Sequence, residues 1–387
     1  MSRFHSYIQS AQTAIDSYKQ GTPLTHHLKL FFQTDKKFGS RDRKSIASIC
    51  YHYFRCQHIL DNALSFEQKI IQATFLCESN DSELLKSLSP DLNELIAFPI
   101  EEKLAFLELN TQQLFAFQHA LSDDIDKKSF SLSLFIQPDL YLRIRPGKNK
   151  KVCDALNKAA VEYRLIGENT LALENGISVE NIVQINKDVV VQDLNSQKVL
   201  DFFVKERNAD KAELVWDCCA ASGGKSILLY DYCGSNTKLT VSDIRENILT
   251  NLQLRLKDAG INIQKKFVQD LTLKSGLMLE DKFSVVICDV PCSGSGTWSR
   301  TPEQYASFDP AQIEQFAIQQ QKIVVNSIQH VAKNGWFIYI TCSVFKAENE
   351  EMVEFITNHF ACQLLEMKYL KGYNNKADTL FVAYFKN

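Results

Sequence analysis

The sequence is short of several things, and each shortage excludes a class of protein. No uninterrupted apolar run approaches the roughly 18 residues that a membrane-spanning helix requires, so no membrane segment is expected. The first twenty residues, MSRFHSYIQSAQTAIDSYKQ, are polar throughout and contain no apolar core of a secretory leader. Proline is sparse, with eight in 387 residues, and neither repeats nor low-complexity tracts occur. There is no excess of one charge: 43 basic residues face 46 acidic ones, a net of −3. Attraction to a polyanion would therefore have to come from local patches. No Cys-x-x-Cys and no Cys/His pair has zinc-site spacing, so no metal is expected.

Cysteine, by contrast, is plentiful, with eleven in the chain. In a long chain without a leader they point to free thiols in a reducing, cytoplasmic compartment. Apolar residues make up 45%, enough to bury cores for two or three domains.

Periodicity divides the chain at about 130/131 and 205/206. Residues 1–130 read as an all-helical domain. Ile46, Ile49, Tyr53 and Cys56 recur at helical spacing, Ile59, Leu60 and Leu64 extend the stripe, and Ser40 is a plausible cap. Residues 131–205 read as a small α+β module. Leu140, Leu142 and Ile144 alternate with polar neighbours as a strand, a short helix follows over 150–163, and strand-like runs lie at 171–173 and 182–185. In residues 206–387 the apolar runs LVWDC, KLTVSDI, KKFVQD, FSVVICDV and GWFIYITCS alternate with helix-length segments. That alternation implies an α/β, Rossmann-like domain with a parallel, doubly wound sheet.

Three stretches of this last domain carry chemistry. The first, Asp217-Cys218-Cys219-Ala220-Ala221-Ser222-Gly223-Gly224-Lys225, leaves a strand and enters a helix. Its glycines let backbone approach a ligand, and the helix start offers free N–H groups. A phosphate loop is a poor fit, because Cys219 stands where that pattern needs its opening glycine. Asp217, Asp243, Asp270 and Asp289 each close a successive predicted strand, where ligands bind in such sheets. Asp243 is placed to accept ribose hydroxyls, and Asp270 to meet an adenine or an amine. An acidic cleft suits a neutral ribose and a cationic sulfonium better than a polyphosphate. S-adenosyl-L-methionine is thus favoured over ATP, and the absence of G-x-G-x-x-G disfavours NAD.

The second and third stretches are Asp289-Val290-Pro291-Cys292-Ser293-Gly294-Ser295-Gly296 and Tyr339-Ile340-Thr341-Cys342-Ser343. Most free cysteines are small buried hydrophobes, the reading for Cys50, Cys56, Cys77, Cys153, Cys233, Cys288 and Cys362. Cys292 and Cys342 instead sit in loops at functional strand ends. Methyl transfer needs a thiol when the acceptor is cytosine C5, which has no lone pair. A thiolate adding to C6 makes C5 an enamine-like nucleophile. Asp289 is placed to hold a proton at N3, and a second cysteine can assist release.

Taken together, DCCAASGGK (217–225), Asp243, Gln269-Asp270, DVPCSGSGTWSRTPE (289–303) and YITCSVFKAENE (339–350) resemble the Sun/Fmu-type family of RNA cytosine-5 methyltransferases. The resemblance covers the last half of the chain well, extends to VQDLNSQ (191–197), and weakly to GSRDR (39–43). It implies an S-adenosyl-L-methionine-dependent RNA methyltransferase forming 5-methylcytosine, with Cys342 as nucleophile and Cys292 aiding release. The swapped assignment, with Cys292 attacking, is the chemical alternative. The resemblance further implies cofactor contacts at Cys219, Ala220, Ala221, Ser222, Gly223, Gly224, Lys225, Asp243, Asp270 and Asp289. Two positions depart from the pattern: Ser222 replaces a usual proline, and Thr379 a common glycine.

The expected partner is RNA, ribosomal RNA first, with an unpaired or flipped cytosine, since C6 must leave the stack to meet a thiolate. The enzyme is expected to act as a monomer. A tRNA substrate, or a non-catalytic RNA-binding ribosome-assembly factor, is the alternative. Two basic clusters could neutralise phosphate: Arg143, Arg145, Lys148, Lys150 and Lys151, and Lys36, Lys37, Arg41, Arg43 and Lys44. Arg300, just past the Cys292 loop, is a further candidate.

Overall fold

The computed structural model describes residues 3–34, 37–110, 114–207, 213–273, 279 and 281–387. Its residues gather into two compact units. One comprises 1–119, 126–137 and 297–310, the other 120–125, 138–296 and 311–387.

The first unit is helical, as its periodicity predicts. Helices Arg3–Asp16, Leu24–Thr34, Ser40–Cys56 and Phe66–Cys77 close over Ile8, Ala11, Leu28, Ile46, Ile49, Phe54, Ile70 and Phe75. Ser65 caps the fourth of these by accepting the Gln68 N–H, while Gln68 returns its side-chain oxygen to the Ser65 N–H. Two details differ from expectation. The third helix is capped at Gly39, whose N–H donates to the Asp42 carboxylate, not at Ser40. The helix also ends at Cys56, so Ile59, Leu60 and Leu64 lie beyond it, although Leu60 is buried. Segment 297–310 contributes Trp298 and Tyr305, stacked at 5.2 Å, with Phe115 stacked on Tyr305 at 5.5 Å.

The second unit holds two sheets. The smaller is antiparallel, with β1 (Leu140–Ile144), β2 (Arg164–Ile166), β3 (Thr170–Leu173) and β4 (Val189–Val191) in the order β2-β3-β1-β4. Helix Asn149–Lys158 packs Val152 and Leu156 on Leu142, Ile144, Leu171, Leu173 and Val189. The run at 182–185 is not a strand. Its apolar side chains pack on this core from a turn, and the fourth strand forms at 189–191 instead.

The larger sheet comprises β5 (Leu214–Asp217), β6 (Lys238–Asp243), β7 (Ile263–Val268), β8 (Phe283–Asp289), β9 (Val331–Thr341), β10 (Gln363–Leu370) and β11 (Leu380–Lys386). Their order is β10-β11-β9-β8-β5-β6-β7. Strands β5 to β9 run parallel, as expected. The sheet as a whole is mixed, because β11 turns back antiparallel into the place between β9 and β10. From the central β5 the chain winds to β6 and β7 on one side, then to β8 and β9 on the other. The crevice between β5 and β8 is thus a topological switch point, where such sheets bind ligands.

Candidate active site

The buried β5 delivers its last residue, Asp217, to that switch point, and the chain then turns tightly into helix Gly224–Cys233. The turn passes through left-handed backbone at Ala221 (φ 43°) and Gly223 (φ 80°). A side chain at 223 would be strained by that φ and would crowd Leu252, 3.2 Å from an ideal Cβ. Two backbone-to-backbone hydrogen bonds tie the turn to the flanking strands: Cys218 N–H to Ile287 O at 3.0 Å and Ala220 N–H to Ser242 O at 2.9 Å. Ser222 faces outward, and its hydroxyl accepts from Arg255 at 2.9 Å.

Beyond the turn lies a cavity of about 430 Å³. Cys219, Ala221, Asp243, Asp270, Asp289, Cys292 and Cys342 line it, together with Ile244, Arg245, Leu271 and Pro291. Three of the four strand-end aspartates therefore meet in one cleft. Asp217 does not: it is sealed beneath the turn, where Ser226 donates to its Oδ2 at 2.5 Å. Asp270 stands two residues past the end of β7, folded back so that its Oδ1 accepts the Thr272 N–H and hydroxyl.

Asp243 accepts from four donors, the Ala221 N–H, the Arg245 N–H and two guanidinium nitrogens of Arg245, at 2.9 to 3.1 Å. Burial pushes its pKa up, but these bonds outweigh burial and hold the carboxyl below its usual value. A ribose diol could take the places of the Arg245 guanidinium, whose side chain is 55% exposed and has solvent to turn into. Acceptor carboxylates, backbone donors at a helix start and a cavity with apolar walls fit S-adenosyl-L-methionine.

The thiols face one another. Cys292 and Cys342 place their sulfurs 3.1 Å apart, and the Cys342 N–H points at the Cys292 sulfur at 3.4 Å. The Cys292 thiol is pushed well above its ordinary pKa by the hydrogen bond with Cys342, by burial, and by the charges of Cys342 and Glu348. Beside them Lys225 donates to Asp289 Oδ2 at 2.6 Å. Burial pulls the lysine down, yet the Asp289 charge and hydrogen bond leave its pKa raised, so it stays protonated. Its ammonium is thus directed at Asp289, in a role that the cofactor-loop motif does not suggest.

Sequence reasoning missed the groups that hold these loops. Glu348 and Asn349 are fully buried behind the thiols. Asn349 accepts from the Thr341 hydroxyl at 2.5 Å and donates to Ser343 O at 2.8 Å, spanning Cys342. The polar run Glu348-Asn349-Glu350 after an apolar strand was the available signal. Thr379, one of the two departures from the family pattern, is buried and accepts the Gly372 N–H through its hydroxyl at 3.1 Å. Lys36 lies outside the described residues.

The fold and this cleft define a Rossmann-like methyltransferase domain of the S-adenosylmethionine-dependent class. Across 99% of the chain it superposes on the crystal structure of PH0851, with TM-score 0.73 over 98% of that chain and 18% identity. Across 68% it superposes on NSun6 from Pyrococcus horikoshii solved with SFG, with TM-score 0.57 over 96% of that chain and 14% identity. Residues 204–383 match the family model described as 16S rRNA methyltransferase RsmB/F. The chain is similar to the probable ribosomal RNA small subunit methyltransferase B of Synechocystis, with 29% identity over 57% of this chain and 50% of that protein. It is also similar to human tRNA (cytosine(72)-C(5))-methyltransferase NSUN6, with 26% identity over 41% of this chain and 36% of that one. The chain spans about half the length of the curated relatives it matches.

Proposed function

We propose that the protein methylates carbon 5 of a cytosine in RNA, with ribosomal RNA as substrate and S-adenosyl-L-methionine as donor. The observation that carries this is the pair of sulfurs 3.1 Å apart on the wall of a cavity that Asp243, Asp270 and Asp289 also line. The residues for holding the donor are Cys219 to Gly224, Asp243 and Asp270. When bound, the donor supplies an electrophilic methyl group on a sulfonium.

The chain's own residues supply the rest. Cys342 attacks C6 as a thiolate, which turns C5 into a nucleophile. Cys292, whose thiol is pushed well above its ordinary pKa by the bond with Cys342 and by burial, keeps its proton and donates a hydrogen bond to the Cys342 sulfur. After methyl transfer the C5 proton passes to water, its bonding pair forms the C5–C6 double bond and the C6–S bond breaks, releasing a Cys342 thiolate that the Cys292 hydrogen bond favours. Asp289, fixed by Lys225, accepts a hydrogen bond from N3–H once the ring takes up a proton from water there, and that proton draws electron density from the ring until it returns to water on release.

Replacing Cys342 by alanine is expected to abolish transfer of labelled methyl groups to RNA; retained turnover would refute the nucleophile assignment. Replacing Cys292 by alanine is expected to leave protein covalently attached to RNA, visible as a shifted band on a denaturing gel. The substrate follows from bisulfite sequencing of total RNA from a deletion strain. A lost 5-methylcytosine in tRNA instead of rRNA would redirect the reading.

A further inference from the structure

Behind the two thiols the structure buries a carboxylate that the reaction itself does not use. Glu348 ends a short 3-10 turn, Lys346–Glu348, and is fully enclosed. Its Oε2 accepts the Ser293 N–H at 2.9 Å and the Gln320 side-chain N–H at 2.9 Å. Its Oε1 accepts the Ser343 hydroxyl at 2.6 Å. Ser293 directly follows Cys292, and Ser343 directly follows Cys342. Gln320 also donates to Pro291 O, the residue before Cys292, at 3.0 Å, and accepts from Tyr339 on β9 at 3.0 Å.

Enclosing a carboxylate is costly, and here all three of its bonded donors are neutral, so no opposite charge offsets the loss of water. A well-packed apolar residue would suffice if the task were only to fill space. The carboxylate does something that apolar packing cannot. Its two oxygens hold the residues beside both thiols on one rigid plane. The Ser293, Ser295 and Ser343 hydroxyls, 3.1 to 3.2 Å from one another, close the same network.

We infer that Glu348 is a positioning residue that sets the separation of the Cys292 and Cys342 sulfurs by tying both of their loops to one buried carboxylate. The inference rests on the reading of these thiols as the reacting pair. Its geometric content can be tested without that reading.

The experiment compares the full-length wild type with Glu348→Gln and Glu348→Ala. Diamide takes one hydrogen from each of two thiols and joins them. Mass spectrometry of the Cys292–Cys342 peptide pair therefore times how readily the sulfurs meet. Glutamine keeps an oxygen for Ser293 and Gln320 and offers its N–H₂ to Ser343, so it is expected to link and to turn over within about threefold of wild type, the geometry being kept. Alanine is expected to slow linkage about tenfold and to lower kcat about a hundredfold, the usual scale for a reacting group displaced by an ångström. KM for RNA and the calorimetric affinity for S-adenosyl-L-methionine should both stay within about twofold of wild type, because the cofactor turn is untouched.

An alanine variant that links and turns over like wild type overturns the inference, and so does a glutamine variant as impaired as alanine. If the alanine variant does not fold, Ser343→Ala, which removes one donor, should slow linkage by an intermediate factor; an unchanged rate there also overturns it. A wild type inactive on RNA whose linkage still depends on Glu348 would remove the proposed function and keep the positioning role.

Discussion

Of the four strand-end carboxylates, Asp217 differs from the others because it never meets the cleft. Burial, the largest influence, pushes its pKa up to about 7, the Ser226 hydrogen bond opposes this, and the charges of Asp289 and Asp243 add to it. Its Oδ1 has no hydrogen-bond partner among the described residues, which an ionised carboxylate tolerates poorly in a dry site. The folded-state value lies above the ordinary carboxylate range. The stabilisation from this shift is therefore fully present below about pH 4 and is lost as pH rises through 7. An asparagine in its place would stay neutral at every pH. In urea unfolding, Asp217→Asn should gain stability relative to wild type as pH rises from 5 to 8, by on the order of a few kcal/mol. A difference that does not change with pH would show that Asp217 is not protonated in the fold. The sequence could place Asp217 at a strand end. It could not show that Ser226, nine residues on, would seal it in.

At the scale of elements, the cleft was legible because the strands that build it are buried: β5, β8 and the second half of β9 read as apolar runs, and β6 is buried from Leu239 to Asp243. The edge of the sheet was not. β10 alternates polar and apolar residues, with Gln363, Glu366 and Lys368 among them, and β11 follows a loop instead of a helix. Strand–helix alternation therefore predicts parallel order and misses the antiparallel return. The reading of 182–185 as a strand failed for a related reason. Apolar pattern reports burial, and this turn over the core buries its residues while pairing only Ile185, in a single bridge to Val189. That unpredicted return matters to the site. The start of β11 meets the thiol loop where Thr379 N–H donates to Gly296 O and Gly296 N–H donates to Cys342 O, both at 2.8 Å. An ideal Cβ on Gly296 would lie 2.0 Å from Thr379 O and 3.0 Å from Cys342 O. Gly296→Ala must therefore push the Thr379 backbone aside and disturb the pairing that runs from Thr379 through Gly296 to Cys342 O. It is expected to lower methyl transfer about a hundredfold while costing about 1–3 kcal/mol of stability. Full activity in that variant would mean that the β11 contact does not govern Cys342.

For the molecule as a whole, the charges that look like an RNA-binding patch divide once the fold is known. Arg143 and Arg145 belong to one basic cluster in sequence, but both turn inward to Asp231, on helix Gly224–Cys233. Arg143 donates to Asp231 Oδ2 at 2.5 Å and to Gln192 at 2.9 Å, and Arg145 to Asp231 Oδ1 at 2.6 Å. Gln192 in turn reaches Gly224 O at 3.4 Å. The small sheet is thus fastened to helix Gly224–Cys233, and these arginines are turned away from solvent phosphate. Arg41, Arg43 and Lys44, on the helical unit, remain exposed. The three ionic side chains of the fastening are 5 to 12% exposed. Removing the carboxylate would leave two nearly buried guanidinium groups facing each other with no counter-charge. Asp231→Ala is therefore expected to cost about 3–5 kcal/mol in chemical denaturation. Arg143→Met and Arg145→Met combined with Asp231→Leu, which removes all three buried charges, should recover much of that loss. A loss below about 1 kcal/mol for the single variant, the scale of an exposed ion pair, would mean that the pair is solvated and that the two sheets are held by apolar packing alone.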